Sequence, residues 1–216
     1  MFIDIHSHSF GSTPANELRV SNVIVSKDYL NSSPVSAGIH PWYMDEDQKR
    51  QLEVLEQYLK KEEVIAVGEC GLDKLFNSPW DTQIQVFEQQ IKLANNYQKP
   101  LIIHCVRAYS EACTSLMRMK VQVPVIFHGF HKNWALAETL INQGYYISLG
   151  HASLQGNMNE LIQHIPLDRI FFETDDKSIK ISNIYAYFCR VRKNMPLEVL
   201  QQQLRQNFIQ VFNYSL

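Results

Sequence analysis

Residues 64–73 of this 216-residue chain read VIAVGECGLD, and this stretch decides how we interpret the fold. An apolar run from Val64 to Val67 leads through Gly68 into Glu69. A short run of mostly β-branched residues that is apolar throughout is typical of a strand covered on both faces, as in parallel sheets. Because Glu69 follows the run directly, we expect its carboxylate to project from the end of the strand.

Other apolar runs also lead into side chains that bind metal ions: residues 2–5 into His6 and His8, residues 101–103 into His104, residues 125–127 into His128, and residues 170–172 into Asp175. In a barrel of parallel strands, the carboxyl ends of all strands open on one face, where active sites gather. We therefore expect these imidazoles and carboxylates to share one pocket. The pattern predicts a metal site for two ions.

Strands and helices are predicted to alternate along most of the chain. Runs rich in Val, Ile and aromatic residues predict eight strands, at 2–6, 20–26, 35–40, 64–68, 101–104, 124–128, 145–149 and 169–174. Apolar residues at helical spacing predict helices at 45–62, 81–98, 107–119, 132–143 and 157–164, the second with Asp81 as its N-cap. Residues 180–213 predict two or three further helices. This alternation predicts a distorted (β/α)8, TIM-like barrel and a single domain over residues 1–216.

The connections between the first three predicted strands are short. About fourteen residues separate the first two strands, and Gly11 and Pro14 interrupt them. Residues 27–34 are too few for a crossover helix. We therefore expect the first two outer helices to be missing or rudimentary.

Composition limits the classes of protein to consider. With 45% apolar residues the chain can bury one large core, and its net charge of −2 gives no general attraction to polyanions. Its four cysteines form no CxxC pair, which favours reduced thiols in the core over a disulfide framework. The N-terminus has no basic segment followed by an apolar stretch, and no apolar run approaches the ~20 residues of a membrane helix. We expect a cytoplasmic protein without a membrane partner.

Metal binding competes with simpler interpretations of these histidines. A bare His-x-His pair, or a lone histidine at a strand end, also occurs in proteins that bind no metal. Glu69 favours ligation, because a carboxylate can bridge two cations and an imidazole cannot. The predicted ligand sets are His6, His8, Glu69 and Asp175 for one ion and Glu69, His104 and His128 for the other. The ions are divalent, with Zn²⁺, Mg²⁺ and Mn²⁺ all compatible. Such a pair activates water for hydrolysis, with Asp175 as the general base.

Seven motifs together resemble those of the TatD-type metal-dependent hydrolases of the amidohydrolase superfamily. They are DIHSH (4–8), AGIHPW (37–42), VGECGLD (67–73), LIIHCVRA (101–108), HGF (128–130), ETD (173–175) and QNFIQVF (206–212). The resemblance implies a distorted (β/α) barrel, the same six metal ligands and phosphodiesterase activity on DNA. This chain departs from the family in its shortened front and after Asp175, where Asp176-Lys177-Ser178 replaces a Pro and a basic loop. Both departures are expected at the pocket mouth, where substrate is held.

Further polar residues are candidates for supporting roles. Arg107 matches an Arg of the family motif and is predicted to bind a phosphate, with an ion pair to Glu111 as the alternative. His40 is predicted to touch the substrate or support a ligand, with a structural role as the alternative. Asp4 and Asp73 are predicted to orient histidine ligands.

The substrate and the reaction stay open among three hypotheses. The first is a phosphodiesterase acting on DNA or a small phosphodiester, with Tyr43, Trp80 and Trp134 either stacking on a base or packing loops. The second is an amide or ester hydrolase, for example a D-aminoacyl-tRNA deacylase. The third is a non-catalytic, metal-binding paralogue. The oligomeric state is also left open, a monomer included.

Overall fold

The computed structural model describes residues 1–28, 30, 34–193 and 195–215. These residues form eight strands and seven α-helices, which alternate from the third strand to the eighth. The strands are β1 (Phe2–Ser7), β2 (Glu17–Ile24), β3 (Val35–Gly38), β4 (Val64–Asp73), β5 (Leu101–Val106), β6 (Val125–Phe127), β7 (Tyr146–Leu149) and β8 (Ile170–Phe172). The helices are α1 (Gln48–Leu59), α2 (Trp80–Tyr97), α3 (Tyr109–Arg118), α4 (Trp134–Asn142), α5 (Asn159–His164), α6 (Ile181–Val191) and α7 (Leu197–Phe212). Short 3-10 helices lie at His151–Gln155 and Leu167–Arg169. All eight predicted strands are confirmed.

The chain divides into two compact units. Unit 1 comprises residues 1–20 and 126–216, and unit 2 comprises residues 21–125. In unit 2, β2, β3, β4 and β5 pair in that order and are parallel. In unit 1, β6, β7 and β8 pair in parallel, and a parallel bridge joins the end of β1 to the residues after β8. Within each unit the parallel strands follow the chain order, and the predicted class of a distorted (β/α)8 barrel is confirmed.

Helix α2 holds the ends of two strands of unit 2 through two buried glutamines. The side chain of Gln90 accepts a hydrogen bond from Ile39 N at 2.8 Å and donates one to Ile39 O at 3.0 Å. Gln83 does the same at Asp73, accepting from its N at 2.8 Å and donating to its O at 3.0 Å. Buried backbone groups need hydrogen-bond partners, and these glutamines supply them for Ile39 and Asp73 at the strand ends. They also position the residues that follow β3 and β4.

Unit 1 has an aromatic core between β8, α6 and α7. Phe172 packs against Tyr185 and Phe188, with ring centroids 4.7 and 5.2 Å apart. Phe208 stacks on Phe212 at 4.5 Å. Large buried aromatic side chains of this kind contribute most of the apolar area that a core removes from water. They anchor the helices behind β1 and β8, the strands that end at the candidate site.

Strand β4 is longer than predicted, and Glu69 lies inside it rather than after it. The reason is the close approach of β4 to β5. Gly71 has a φ of +140°, and a Cβ on it would lie 2.0 Å from the carbonyl oxygen of His104. Gly68 has a φ of +150°, so any other residue would be strained at either position. The pairing of β4 with β5 therefore continues to Asp73, with a register shift between Val67 and Cys70.

Two smaller predictions have different outcomes. Asp81 is not the N-cap of α2, because the helix begins one residue earlier with Pro79 at the cap position and Asp81 in its first turn. The predicted loss of the first outer helix is confirmed, since the described residues 8–16 contain no helix. The prediction for residues 27–34 falls partly on residues 29 and 31–33, which lie outside the described residues.

Among the described helices, none is long and apolar enough to cross a membrane.

Candidate metal centre

His6, His8 and Asp175 form one group of possible ligands in unit 1. The Oδ1 atom of Asp175 lies 3.4 Å from Nε2 of His8 and 3.7 Å from Nε2 of His6. His6 is fully buried, whereas Asp175 is about a third exposed. The group is therefore closed on the side of the core and open on the side of Asp175.

Backbone hydrogen bonds between β1 and the end of β8 hold this group together. The amide of Asp175 donates to His6 O at 2.9 Å, and the amide of His8 donates to Asp175 O at 3.0 Å. Asp175 itself has a φ of +54°, a left-handed conformation that Asp tolerates better than most residues. This turn directs the carboxylate back toward the two imidazoles.

The spacing of the three side chains fits a metal ion. In a tetrahedral site with metal–ligand bonds of about 2.1 Å, neighbouring ligand atoms lie about 3.4 Å apart. The separations of 3.4 and 3.7 Å in this group match that value and exceed a normal hydrogen bond. Two imidazoles and a carboxylate are also a donor set that suits Zn²⁺ or Mn²⁺.

Asp4 supports the group through hydrogen bonds to His6 and Thr174. Its Oδ1 accepts hydrogen bonds from Thr174 N at 3.0 Å and from His6 N at 3.4 Å, and its Oδ2 accepts one from Thr174 Oγ1 at 2.6 Å. Burial raises the pKa of Asp4 to about 7 in spite of these bonds. Asp4 therefore ties together the strand ends that carry the ligands, and the prediction that it orients a histidine ligand stays a prediction.

His128, after β6, is supported by a carboxylate that the sequence analysis did not single out. Oε1 of the fully buried Glu173 accepts a hydrogen bond from Gly129 N at 2.6 Å and lies 3.3 Å from Nδ1 of His128. Burial alone would raise the pKa of Glu173, but the charge and hydrogen bond of His128 bring this pKa below its usual value. A carboxylate on Nδ1 leaves Nε2 as the ligand atom of the imidazole.

Glu173 could have been found by the rule that identified Glu69, because it follows the apolar run of β8 directly. The ring of His128 lies 4.3 Å from that of His6, measured between centroids. A cavity of about 150 Å³ opens beside Glu173 and is lined by Gly129, Gly150, His151, Ala152, Asp175 and Lys177. Unit 1 thus places His128 next to the group of His6, His8 and Asp175, with open space beside it.

Unit 2 contains a second group of possible ligands, centred on Glu69. The Oε1 atom of Glu69 lies 2.9 Å from Nδ1 of His104 and 3.1 Å from Nε2 of His40. The amide of Glu69 donates to Oδ1 of Asn22 at 2.7 Å, which fixes the backbone at this point. Glu69 and His40 are buried, and His104 is only slightly exposed.

His40 supports Glu69 in this arrangement. Its Nδ1 accepts a hydrogen bond from Trp42 N at 3.1 Å, so the ring proton belongs on Nε2, which faces Glu69. Both ring nitrogens therefore have partners within unit 2. The prediction that His40 touches substrate stays a prediction.

Asp73 lies on the other side of His104. Its Oδ2 is 3.1 Å from Nε2 of His104 and accepts a hydrogen bond from Trp42 Nε1 at 2.7 Å. Burial would raise the pKa of Asp73, but the hydrogen bonds from His104, Trp42 and the amide of Leu75 lower it to about 2. An ionised Asp73 holds the proton of His104 on Nε2 and leaves Nδ1 facing Glu69.

Arg107 is exposed at the end of β5, with a φ of +53°. Its alternative partner Glu111 is bonded to Lys74. Among the described residues, Arg107 makes no ion pair, so its guanidinium is available to an anion. The predicted phosphate contact is compatible with this position and stays a prediction.

The predicted ligands therefore fall into two sets, each brought together within its own unit. Unit 1 holds His6, His8, His128 and Asp175, and unit 2 holds Glu69 and His104. That all six serve one binuclear centre stays a prediction.

Comparisons with known proteins agree with the motif resemblance. A family model described as TatD related DNase matches residues 11–213. A metal-dependent hydrolase of Buchnera aphidicola, whose own function is uncharacterized, is 30% identical, with 83% of this chain and 74% of the relative covered. A TATDN1 homolog of Enterocytozoon bieneusi, whose name proposes deoxyribonuclease activity, is also 30% identical, with 76% of this chain and 64% of the relative covered.

A solved structure has the same fold. The crystal structure of YjjV, a TatD homolog from Escherichia coli, superposes with a TM-score of 0.81 and covers 99% of this chain and 98% of its own. Its sequence identity is 24%, so the likeness concerns the fold.

Proposed function

Because this chain belongs to the TatD related DNase family of metal-dependent hydrolases, we propose that it hydrolyses phosphodiester bonds, with DNA or a short oligonucleotide as its substrate. The observation that carries the proposal is the group of His6, His8 and Asp175, whose atoms have the separations of metal ligands. A donor set of imidazoles and carboxylates is the one that hydrolytic metal sites use.

The proposal assigns six ligands to two divalent ions, with Zn²⁺, Mg²⁺ and Mn²⁺ as the candidates. Four of them come from unit 1 (His6, His8, His128 and Asp175) and two from unit 2 (Glu69 and His104). Bound divalent ions would neutralise phosphate charge and lower the pKa of water. The supporting carboxylates Glu173 and Asp73 would keep one nitrogen of His128 and His104 protonated, so that the other nitrogen binds the ion.

Asp175 is the proposed general base. Its carboxylate is partly exposed while its backbone is held by hydrogen bonds to His6 and His8, so it combines access to solvent with a fixed position. A general base needs both, since it must lie within hydrogen-bond reach of the proton that it accepts. The adjacent cavity beside Glu173 provides room for a reacting group.

The test measures metal content and hydrolysis of bis-p-nitrophenyl phosphate for the wild type and Asp175→Asn. Asp176→Asn is the matched control, since Asp176 is the exposed neighbouring residue and pairs with Lys177. We expect two equivalents of metal in the wild type, with turnover lost in Asp175→Asn and kept in Asp176→Asn.

Other outcomes would overturn the proposal. Bound metal with turnover of acyl esters, amides or D-aminoacyl-tRNA, and none of phosphodiesters, would establish the amidohydrolase alternative. Bound metal that raises the melting temperature without turnover of any of these substrates would establish a non-catalytic paralogue. A protein that binds no divalent metal would remove the basis of the proposal.

A further inference from the structure

Two aromatic rings of unit 2 are stacked on each other and exposed to solvent. Trp42, after β3, is 45% exposed, and Phe76, after β4, is 40% exposed. Their ring centroids are 5.6 Å apart and their planes differ by 22°. Exposed rings that keep a stacked arrangement offer a preformed apolar surface, which loses little side-chain freedom when another planar group packs on it. We call these two residues the ring pair.

The ring pair is attached to the candidate metal group of unit 2. Nε1 of Trp42 donates to Oδ2 of Asp73 at 2.7 Å, and the same oxygen lies 3.1 Å from Nε2 of His104. The indole also packs edge-on against the rings of His40 and His104, at centroid distances of 5.0 and 5.7 Å. A molecule stacked on the ring pair would therefore lie next to His104, a proposed metal ligand, and next to the Asp73 that supports it.

Nearby aromatic residues that the sequence offered for stacking already have cations on their rings. Lys27 Nζ lies 4.2 Å from the centroid of the Tyr43 ring, and Lys74 Nζ lies 5.4 Å from that of Trp80. Tyr43 directly follows Trp42 in the chain, and Lys74 lies two residues before Phe76, so each of the two segments that carry the rings has a cation; that of Lys74 is also paired with Glu111. Planar apolar surface near cations is an arrangement that proteins use for single-stranded nucleic acid, where bases stack and phosphates pair with cations.

We propose that the ring pair is a subsite that stacks an unpaired nucleobase of a single-stranded DNA substrate. This inference rests on the proposed phosphodiesterase function and specifies the substrate as one with exposed bases. Stacking on an aromatic ring accepts any base, so the subsite would select unpaired over duplex DNA without selecting sequence. Loss of one such stack is expected to weaken binding roughly five- to a hundredfold.

The test compares two fluorescent probes of the same charge by anisotropy: a phosphorothioate-linked thymidine tetranucleotide and its abasic counterpart. Phe76→Ala and Trp42→Leu remove one ring each. Trp42→Phe keeps a ring but loses the hydrogen bond to Asp73. Leu75→Ala is the matched control, since Leu75 is an exposed apolar residue of the same loop and lies outside the ring pair. Circular dichroism and the melting temperature of each variant check its fold.

We expect Phe76→Ala and Trp42→Leu to bind the tetranucleotide roughly five- to a hundredfold more weakly. We expect Trp42→Phe and Leu75→Ala to stay near the wild-type affinity and all proteins to bind the abasic probe alike. Equal binding of both probes by the wild type, or unchanged binding by the folded ring variants, would overturn the subsite.

Failure of the subsite and failure of the proposed function give different results. Hydrolysis of bis-p-nitrophenyl phosphate without base-dependent binding would contradict the stacking subsite and support the phosphodiesterase activity. Base-dependent binding that needs both rings, in a protein that hydrolyses no phosphodiester, would support the stacking subsite and contradict the phosphodiesterase activity.

Discussion

Tyr185→Phe tests whether one buried hydroxyl positions the strand that carries His6 and His8. The Tyr185 hydroxyl accepts a hydrogen bond from Ile3 N at 3.0 Å and donates one to Ile3 O at 3.2 Å. Both residues are fully buried, so water cannot replace the hydroxyl without rearrangement. Removing it leaves the Ile3 amide without its acceptor and takes one donor from the carbonyl.

The expected loss follows from those two groups. An unsatisfied buried amide costs about 1–3 kcal/mol, and loss of an ordinary hydrogen bond costs about 0.5–1.5 kcal/mol. We therefore expect Tyr185→Phe to lower the free energy of unfolding by about 2–4 kcal/mol. For a chain of this size, the midpoint of that range lowers the melting temperature by roughly 6–12 °C.

The assay is urea unfolding followed by circular dichroism, with Tyr187→Phe as the control on the same helix. Tyr187 is half-buried, and its hydroxyl donates to Asn159 Oδ1 at 2.9 Å. Water can replace this hydroxyl as the donor to Asn159. We expect a loss below about 1 kcal/mol for the control. If Tyr185→Phe costs no more than Tyr187→Phe at an unchanged m-value, the reasoning is refuted.

Three further predictions concern the site and the core. Glu173→Gln is expected to weaken binding of Zn²⁺ or Mn²⁺ by roughly ten- to a hundredfold in isothermal titration, because a carboxylate behind an imidazole ligand raises its basicity; the exposed Glu138→Gln is the control. Gly71→Ala is expected to lower the free energy of unfolding by about 3 kcal/mol or more, since its Cβ would meet a carbonyl oxygen at 2.0 Å, whereas Gly11→Ala meets nothing within 4 Å. Cys105 is expected to react with a thiol reagent at pH 8 more than about a hundredfold more slowly in the native protein than in urea, because burial raises its pKa to about 12.

Each of these predictions has an outcome that contradicts it. Metal affinity equal to that of the control would show that Glu173 does not support a ligand. A Gly71→Ala protein as stable as Gly11→Ala would mean that the two strands separate at little cost. Rapid labelling of Cys105 in the folded protein, located by mass spectrometry of the labelled peptide, would show that its strand opens readily.

Much of the site could be predicted because its residues follow apolar runs in the sequence. His8, His128 and Asp175 come directly or shortly after strands, as expected, and His6 lies near the end of β1. Glu173 also follows an apolar run directly, as Glu69 follows Val64–Gly68, so its place in the site could have been predicted from the same pattern.

Other features depend on how strands and loops meet, which a periodic pattern does not encode. Asp73 faces His104 because β4 and β5 pair in a particular register, and Gln83 holds that aspartate from a helix. The stacked pair of Trp42 and Phe76 joins two loops that are 34 positions apart in the chain. Neither loop alone indicates that its ring remains exposed.

The sequence by itself determined the alternation of strands and helices, the class of the fold and the identity of the side chains at the strand ends. It could do so because burial of both strand faces, and the change to polar residues where a strand ends, are local properties of the chain. Only the tertiary structure decided where β4 ends, which carboxylate faces which imidazole and which aromatic rings stay exposed. These depend on contacts between residues distant in sequence, such as the approach of Gly71 to the His104 carbonyl, and on distances of a few ångströms.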